Sequence, residues 1–520
     1  MRNRTIRLAA GGLLAAASIG IAGVTQASAA STHGGTLTVG IAEASNSLDP
    51  TAAAPPDYIY YAYDPLIYET SSGNFIADLA ISWTEVGKSN EHFRLTLRHG
   101  VHFSDGSLMT ASDVAKSLTY YATTPGPNQT NAGPVKNVQA IGKWTVQINY
   151  KSPIPEADVT QSLSQDFTFG DIIGPKGLAD PSSLGTSTDG AGEYELEPSA
   201  TVAGSKYTFV PNPHYWNKSL IRYSKVVAEF YASDSAELSA IQSGQIQYAQ
   251  NMPATDVASG KSSGLRISHG PGNVPMLMLE GHLSGPLSNV NVRQAIGYAL
   301  NRKAIASAVF SGLAKPQGEL GVAGLPGYDP TAANLYSYDI SKAKQLLAKG
   351  GYPHGFTMTL LDAAALDKGG TLAQAVESQL SAIGINVQVT LNTGSFGAFL
   401  QQLGSKNYEA LLFPPRAQDI WGEATQTLLP VQGGIGNVFG ASDKLLNQRL
   451  AANAAATTLA AQSSTAIAVT RRLDELAWYI PIVDEVSNQM TSKSVKNVVS
   501  SFDTVDLDPV APDLNLEWQG

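Results

Sequence analysis

Six places along the chain could carry bond-breaking or metal chemistry, and each lacks a necessary part. Gly185-Thr186-Ser187-Thr188 begins like a nucleophile elbow, but Asp189 stands where the closing glycine must allow the sharp turn. Gly87-Lys88-Ser89 and Gly260-Lys261-Ser262 end like phosphate-cradling loops, without the glycine five residues earlier. His99 and His102 lie on an expected strand and turn, where a spacing of three turns them to opposite faces and away from a shared metal. Asp503, Asp506, Asp508 and Asp513 could suit calcium, yet no glycine stands where a calcium loop bends, and a solvated acidic segment is the plainer reading. Asp484 and Glu485 are the adjacent carboxylates a secreted hydrolase might use, but neighbours on a strand point apart, which is wrong for two groups flanking one bond. No catalytic residue, metal site or cofactor is expected.

The elements that would position a site are clearer. Phe93, Leu95 and Leu97 alternate with Arg94, Thr96 and Arg98, the period of a half-buried strand. Asp105-Gly106 supplies a turn, and Thr110 stands three residues before Asp113, the spacing of a capping box. Val114, Leu118 and Tyr121 follow at helical intervals, so a helix starts near Ala111. Trp144, Val146, Ile148 and Tyr150 alternate after Gly142-Lys143 and complete a hairpin. Residues 175–192, dense in Gly, Pro, Ser, Thr and Asp, read as a loop or a crossing between domains. Further on, Phe356, Met358 and Leu360 form a strand, Leu372 to Ile383 a helix stopped by Gly384, and Ile385 to Leu391 a second strand. This βαβ unit places part of the chain in a parallel or mixed sheet. Helices also fit Val292 to Phe310, Lys342 to Ala348 and Ser395 to Leu403, and the Ala-rich Ala451 to Ala461 reads as helix in preference to disorder.

Composition limits the class. Arg2, Arg4 and Arg7 precede the uncharged apolar run Leu8 to Val24, and Ala27-Ser28-Ala29 fits a small-residue cleavage site, so residues 1–30 are expected to be a removable signal peptide. Losing those three arginines takes the net charge from -10 to -13, which argues against nucleic acid or an anionic membrane surface as partner. The remaining chain, about 490 residues, exceeds what one core serves, so two or three domains are expected. The absence of Cys excludes disulfides, thiol catalysis and anchoring through a lipid-modified cysteine. A soluble protein outside the cytoplasmic membrane is the expectation.

The string Leu97 to Tyr121 also resembles a signature of the extracellular solute-binding proteins of ABC importers, in the branch that takes dipeptides, oligopeptides and nickel complexes: LR-x-GV-x-F-x-DG, then a helix starting T-x-x-DV. Tyr63 to Tyr68, Leu79 to Trp83, Gly192 to Leu196, Asn212 to Trp216, Ala240 to Ile246, Val292 to Ile296 and Tyr338 to Pro353 are similar to that family's further motifs, in its order. The resemblance implies an α/β, three-lobed periplasmic-binding-protein-like fold with mixed sheets, a discontinuous first lobe and a hinged ligand cleft. It implies lobe I over residues 31–48, 186–275 and 479–520, lobe II over 49–185, and lobe III over 276–478, with crossings near Val274 and Trp478. The protein would capture a small solute, a peptide in the first instance, and deliver it to membrane permease subunits, working as a monomer. The same fold also serves a metal chelate, haem or an oligosaccharide.

In peptide-binding members a third-lobe aspartate meets the ligand's amine, because a buried ammonium needs a compensating charge. Asp419 stands in the matching region; pairing with Arg416 or with solvent is the alternative role for it. Trp421 could cover the ligand or be a partly buried loop residue. Arg416, beside Asp419, is itself a ligand-binding candidate; Glu43, Ser45 and Asn46, where the first-lobe strand passes the ligand or a solvated loop runs, and Met276 and Glu280, near the first crossing, complete the set.

Overall fold

The computed structural model describes residues 34–41, 44–45, 47–52, 58–126, 128–279, 285–363, 370–392, 396–430, 435–503, 509–510, 513–514 and 516–518. The strand-turn-helix unit forms as its spacing dictates. His92–Leu97 is a strand with Phe93, Leu95 and Leu97 buried, and the Ala111–Thr123 helix starts at a capping box in which the Thr110 amide donates to Asp113 Oδ2 at 3.0 Å. The strand is central in a four-stranded antiparallel sheet, in the order Ala80–Glu85, His92–Leu97, Thr145–Tyr150, Val135–Ala140. Its buried residues share one apolar cluster with Val146, Ile148 and the helix residues Val114, Leu118 and Tyr121. Each such side chain contributes about 1.5–3 kcal/mol by leaving water.

Two larger sheets are built from distant stretches. A seven-stranded sheet runs Arg266–Pro271, Val486–Thr491, Tyr248–Ala249, Gly34–Ile41, Tyr223–Phe230, Lys206–Pro211, Tyr194–Leu196. Gly34–Ile41 lies parallel to both its neighbours, and the remaining pairs are antiparallel. A five-stranded mixed sheet runs Ile385–Leu391, Phe356–Asp362, Ala410–Phe413, Met276–Met278, Tyr479–Pro481, and its parallel Phe356–Asp362 and Ile385–Leu391 strands flank the Thr371–Ser381 helix as the βαβ pattern requires. The chain passes between these sheets at residues 272–275 and again at 482–485. The two passages are bonded to each other: the Gly272 amide donates to the Glu485 carbonyl at 3.1 Å, Glu485 to Asn273 at 2.9 Å and Ile482 to Pro275 at 2.9 Å.

The structure adds detail to three local readings, and the way each helix starts explains it. Val292 to Phe310 is two helices, Val290–Ala299 and Arg302–Val309, because Asn301 Oδ1 accepts the Ala304 amide and starts the second. The Ala-rich run straddles a break between Lys444–Ala454 and Leu459–Leu476, where Thr458 Oγ1 accepts the Ala461 amide; helix propensity is uniform along the run and cannot mark where a cap resets it. Residues 175–192 include a short helix, Pro175–Ala179, with proline at its first position, where no amide is required.

Candidate functional site

After the Ala410–Phe413 strand the chain leaves the five-stranded sheet and meets the four-stranded one. Trp421, buried at 7% exposure, joins the apolar cluster of the four-stranded sheet together with Ala454, although both come from the later stretch. Polar contacts close the same junction. Arg416 Nη1 donates to the Asp166 carbonyl at 3.1 Å, and Asn90 Nδ2 donates to the carbonyls of Ala454 at 2.9 Å and Ala456 at 3.0 Å. Trp421 is therefore a plug in the junction, and Arg416 serves a backbone carbonyl across it.

Asp419 is at the centre of this junction. Its Oδ1 caps the short Ile420–Gly422 helix, accepting from the amides of Trp421 at 2.9 Å and Gly422 at 3.2 Å. The carboxyl is buried and, among the described residues, bonds to no arginine or lysine, Arg416 included. Burial pushes its pKa up, and the two amides and Asp158 hold it back. Asp158 comes from the Glu156–Ser162 helix on the four-stranded side; burial first, and then the charge of Asp419, push it well above the usual carboxylate range. The two carboxyls act on each other, which favours a proton kept between them. Glu423, also buried, is pushed up to about 8 by burial, although Gln418 Nε2 donates to its Oε2 at 2.7 Å. Three acids thus share the buried junction, and the one cation placed there among the described residues, Arg416, is bonded to the Asp166 carbonyl and is not among the groups acting on them, an arrangement suited to receiving a positively charged group.

Asp158, Gln418 and Glu423 were not singled out from sequence. Asp158 reads as an ordinary acidic residue in a helix's first turn, where the dipole favours it. Glu423 did carry a signal: it follows Asp419 by four residues, a like-charge spacing that an exposed helix face disfavours.

The other candidates lie apart. Ser45 is buried beside the seven-stranded sheet; its amide donates to the Tyr58 hydroxyl, its carbonyl accepts from Tyr207, and the Tyr58 and Tyr207 rings stack at 4.9 Å. Met276 is buried in an apolar cluster with Leu361, Leu411, Ile420 and Ala424, and so lies under the segment that carries Asp419. Glu43, Asn46 and Glu280 lie outside the described residues, as do Asp506 and Asp508 of the acidic tail. His99 packs its ring on Trp144 at 4.6 Å, while His102 Nδ1 bonds the Gly100 carbonyl.

Several of the sequence motifs meet away from this junction and maintain the fold. Trp216 Nε1 donates to Asp64 Oδ2 at 2.9 Å, the Arg98 guanidinium lies 4.0 Å over the Trp216 ring, and Asn212 Nδ2 donates to the Gly192 carbonyl at 2.9 Å. Gly192 must lack a side chain: a β-carbon there would stand 2.6 Å from the Ala62 carbonyl carbon. Asp64, Asp78 and Glu193 line a cavity there with room for about one water.

Comparison with known proteins follows the same lines. The family model described as bacterial extracellular solute-binding proteins, family 5 (middle), matches residues 74–422. A glutathione-binding protein of Escherichia coli is 28% identical over 363 residues, 68% of this chain and 68% of that protein. A periplasmic binding protein of A. tumefaciens, solved with agropinic acid, superposes with a TM-score of 0.81 at 23% identity, over 94% of this chain and 99% of that one. A periplasmic binding protein of Helicobacter pylori, solved with a peptide, gives a TM-score of 0.80 at 20% identity, over 94% and 99%. These superpositions establish the periplasmic-binding-protein fold. Among the described residues no helix is long and apolar enough to cross a membrane.

Proposed function

The chain belongs to the bacterial extracellular solute-binding proteins of family 5, the substrate-binding components of ABC importers, and from that premise we propose that its own solute is a small peptide-like molecule whose free amine is held by Asp419. The single observation that carries this reading is the Asp419 carboxyl itself: buried at the junction between two sheets, held in place by two backbone amides, and bonded to no arginine or lysine among the described residues. A buried carboxylate without a counter-charge is costly, and a ligand ammonium removes that cost.

The seven-, four- and five-stranded sheets are then the centres of lobes I, II and III. Closure turns about the paired passages at 272–275 and 482–485, the hinge mode expected of periplasmic binding proteins. Binding energy shifts an open-to-closed equilibrium, the closed form is presented to the permease subunits, and no bond is broken. The basic start, apolar run and Ala-Ser-Ala site support export with cleavage near Ala30, which N-terminal sequencing of the secreted product checks.

Glutathione and the dipeptide Met-Leu, both with a free ammonium, are the first probes, each with its N-acetylated form. Asp419→Asn keeps the shape and removes the charge. Truncating one partner of a buried charge pair costs about 2–5 kcal/mol, so the variant should bind a free-amine probe at least tenfold more weakly. Calorimetry showing equal affinity of wild type and Asp419→Asn, or equal affinity for the N-acetylated form, removes Asp419 from ligand recognition.

A further inference from the structure

Asp158 reaches Asp419 from the opposite side of the junction, on an element that precedes it by more than 250 residues. It is 3% exposed, and its Oδ1 has no hydrogen-bond partner. That oxygen, Gln418 Oε1 and Asp419 Oδ2 lie 2.9, 3.0 and 3.3 Å from the point where a β-carbon on Gly422 would stand. Three acceptor oxygens therefore crowd round one bare α-carbon, and none of them belongs to a donor-bearing cationic group. The Tyr150 hydroxyl, on the four-stranded sheet and within electrostatic reach of Asp158, is likewise buried without a partner.

Two carboxyl groups this close in an apolar setting cannot both ionise, and in the absence of a cation they must share a proton. Asp158, Asp419, Glu423 and Tyr150 are the titratable groups facing this point, and every one of them is pushed up by burial. Arg416, the cation of the same segment, donates to the Asp166 carbonyl and is not among the groups acting on these acids.

We propose that Asp158 is a second cation-binding carboxylate, and that a ligand's primary ammonium displaces the shared proton and is held at once by Asp158 and Gln418 and by Asp419 across the junction. This deepens the reading of Asp419 given above and rests on it. Three acceptors match the three N–H bonds of a primary ammonium, so an N-alkylated or N-acylated terminus leaves an acceptor unmatched. The exchange balances: the protonated carboxyl–carboxylate pair plus R–NH3+ becomes two carboxylates holding R–NH3+, with one H+ released to solvent. Because the two carboxylates belong to opposite sides of the junction, the ammonium also ties the two sides together.

Calorimetry of Met-Leu and glutathione at pH 7, in two buffers of different ionisation enthalpy, tests this. Wild type should release about one proton per amine bound. Asp158→Asn should bind more than tenfold more weakly and release none. Gly422→Ala is the second variant: Gly422 has an ordinary helical φ of -59°, so alanine is conformationally allowed, yet its β-carbon enters the space among the three oxygens. It should also abolish binding of the free-amine probe while the protein still melts cooperatively. Binding without proton release, or unchanged affinity in Asp158→Asn and Gly422→Ala alongside a loss in Asp419→Asn, overturns the role of Asp158 and leaves that of Asp419 standing. If neither free-amine probe binds, or if Asp419→Asn also binds normally, both fall together.

Discussion

Glu423→Gln should make the protein less sensitive to pH between about 5 and 8. The Glu423 carboxyl is pushed up to about 8, by burial first and by Asp419 in addition, against the bond from Gln418. In the unfolded chain a glutamate titrates near ~4.3. Across the interval the folded protein therefore keeps a proton that the unfolded chain has released. Stability contributed by that proton is fully present below ~4.3, is lost as pH rises, and levels off above about 8. The slope is about 1.4 kcal/mol per pH unit, and the full window amounts to about 5 kcal/mol. Glutamine still accepts the Gln418 donor and has no proton to lose, so the stability of Glu423→Gln relative to wild type should rise by about that slope with each unit of pH. Asp158 and Asp419 titrate in both proteins, so the difference isolates Glu423 apart from its coupling to Asp419. Melting curves at pH 5, 6, 7 and 8, with hydrogen exchange of the amides at 420–428 as a local measure, supply the comparison. Parallel pH dependences for the two proteins would refute the reasoning, because they would mean that Glu423 is already ionised in the folded state.

Two further perturbations probe the scaffold. Gly192→Ala forces a β-carbon to within 2.6 Å of the Ala62 carbonyl carbon and 2.8 Å of the Tyr61 carbonyl oxygen, backbone atoms that cannot swing aside, and should cost roughly 1–3 kcal/mol in denaturant titration; an unchanged midpoint would show that the two segments separate easily. Asn90→Gly keeps the left-handed backbone of that position (φ 55°) and removes the amide that bonds Ala454 and Ala456, which should cost about 2 kcal/mol of the closed form and raise the ligand-free radius of gyration in small-angle scattering. Identical scattering would mean that the Trp421 plug and the Arg416–Asp166 bond hold the junction without Asn90.

The parts of the fold that periodicity and capping control were legible in the sequence. Alternation of Phe93, Leu95 and Leu97, the Thr110–Asp113 box and the βαβ unit ending at Leu391 appear where their spacing puts them. Breaks that depend on one capping side chain inside a favourable run, at Asn301 and Thr458, were not, because propensity changes little across them. Within the site, Asp419 came from resemblance, whereas Asp158 and Gln418 gain their meaning only when two distant elements meet. Nothing local distinguishes an acid that will be buried against another acid from one on a solvated helix turn. Ser45 and Met276 show the converse: placed near the expected cleft, they are buried among tyrosines and apolar side chains respectively.

The seven-stranded sheet has an implication for the order in which the chain can fold. Val486–Thr491 lies inside that sheet, between Arg266–Pro271 and Tyr248–Ala249, and Gly34–Ile41 lies inside it too. Strands more than 440 residues apart in sequence must therefore both be present before the sheet has its interior, whereas the four-stranded sheet is complete once Tyr150 has emerged. During vectorial synthesis the local hairpins can form early, but the Arg266–Pro271 edge must wait unpaired until Val486–Thr491 has emerged, and such long-range closure is entropically slow. A nascent chain is thereby kept from locking into its final shape until Val486–Thr491 arrives, and is exposed to aggregation through that open edge for the same interval.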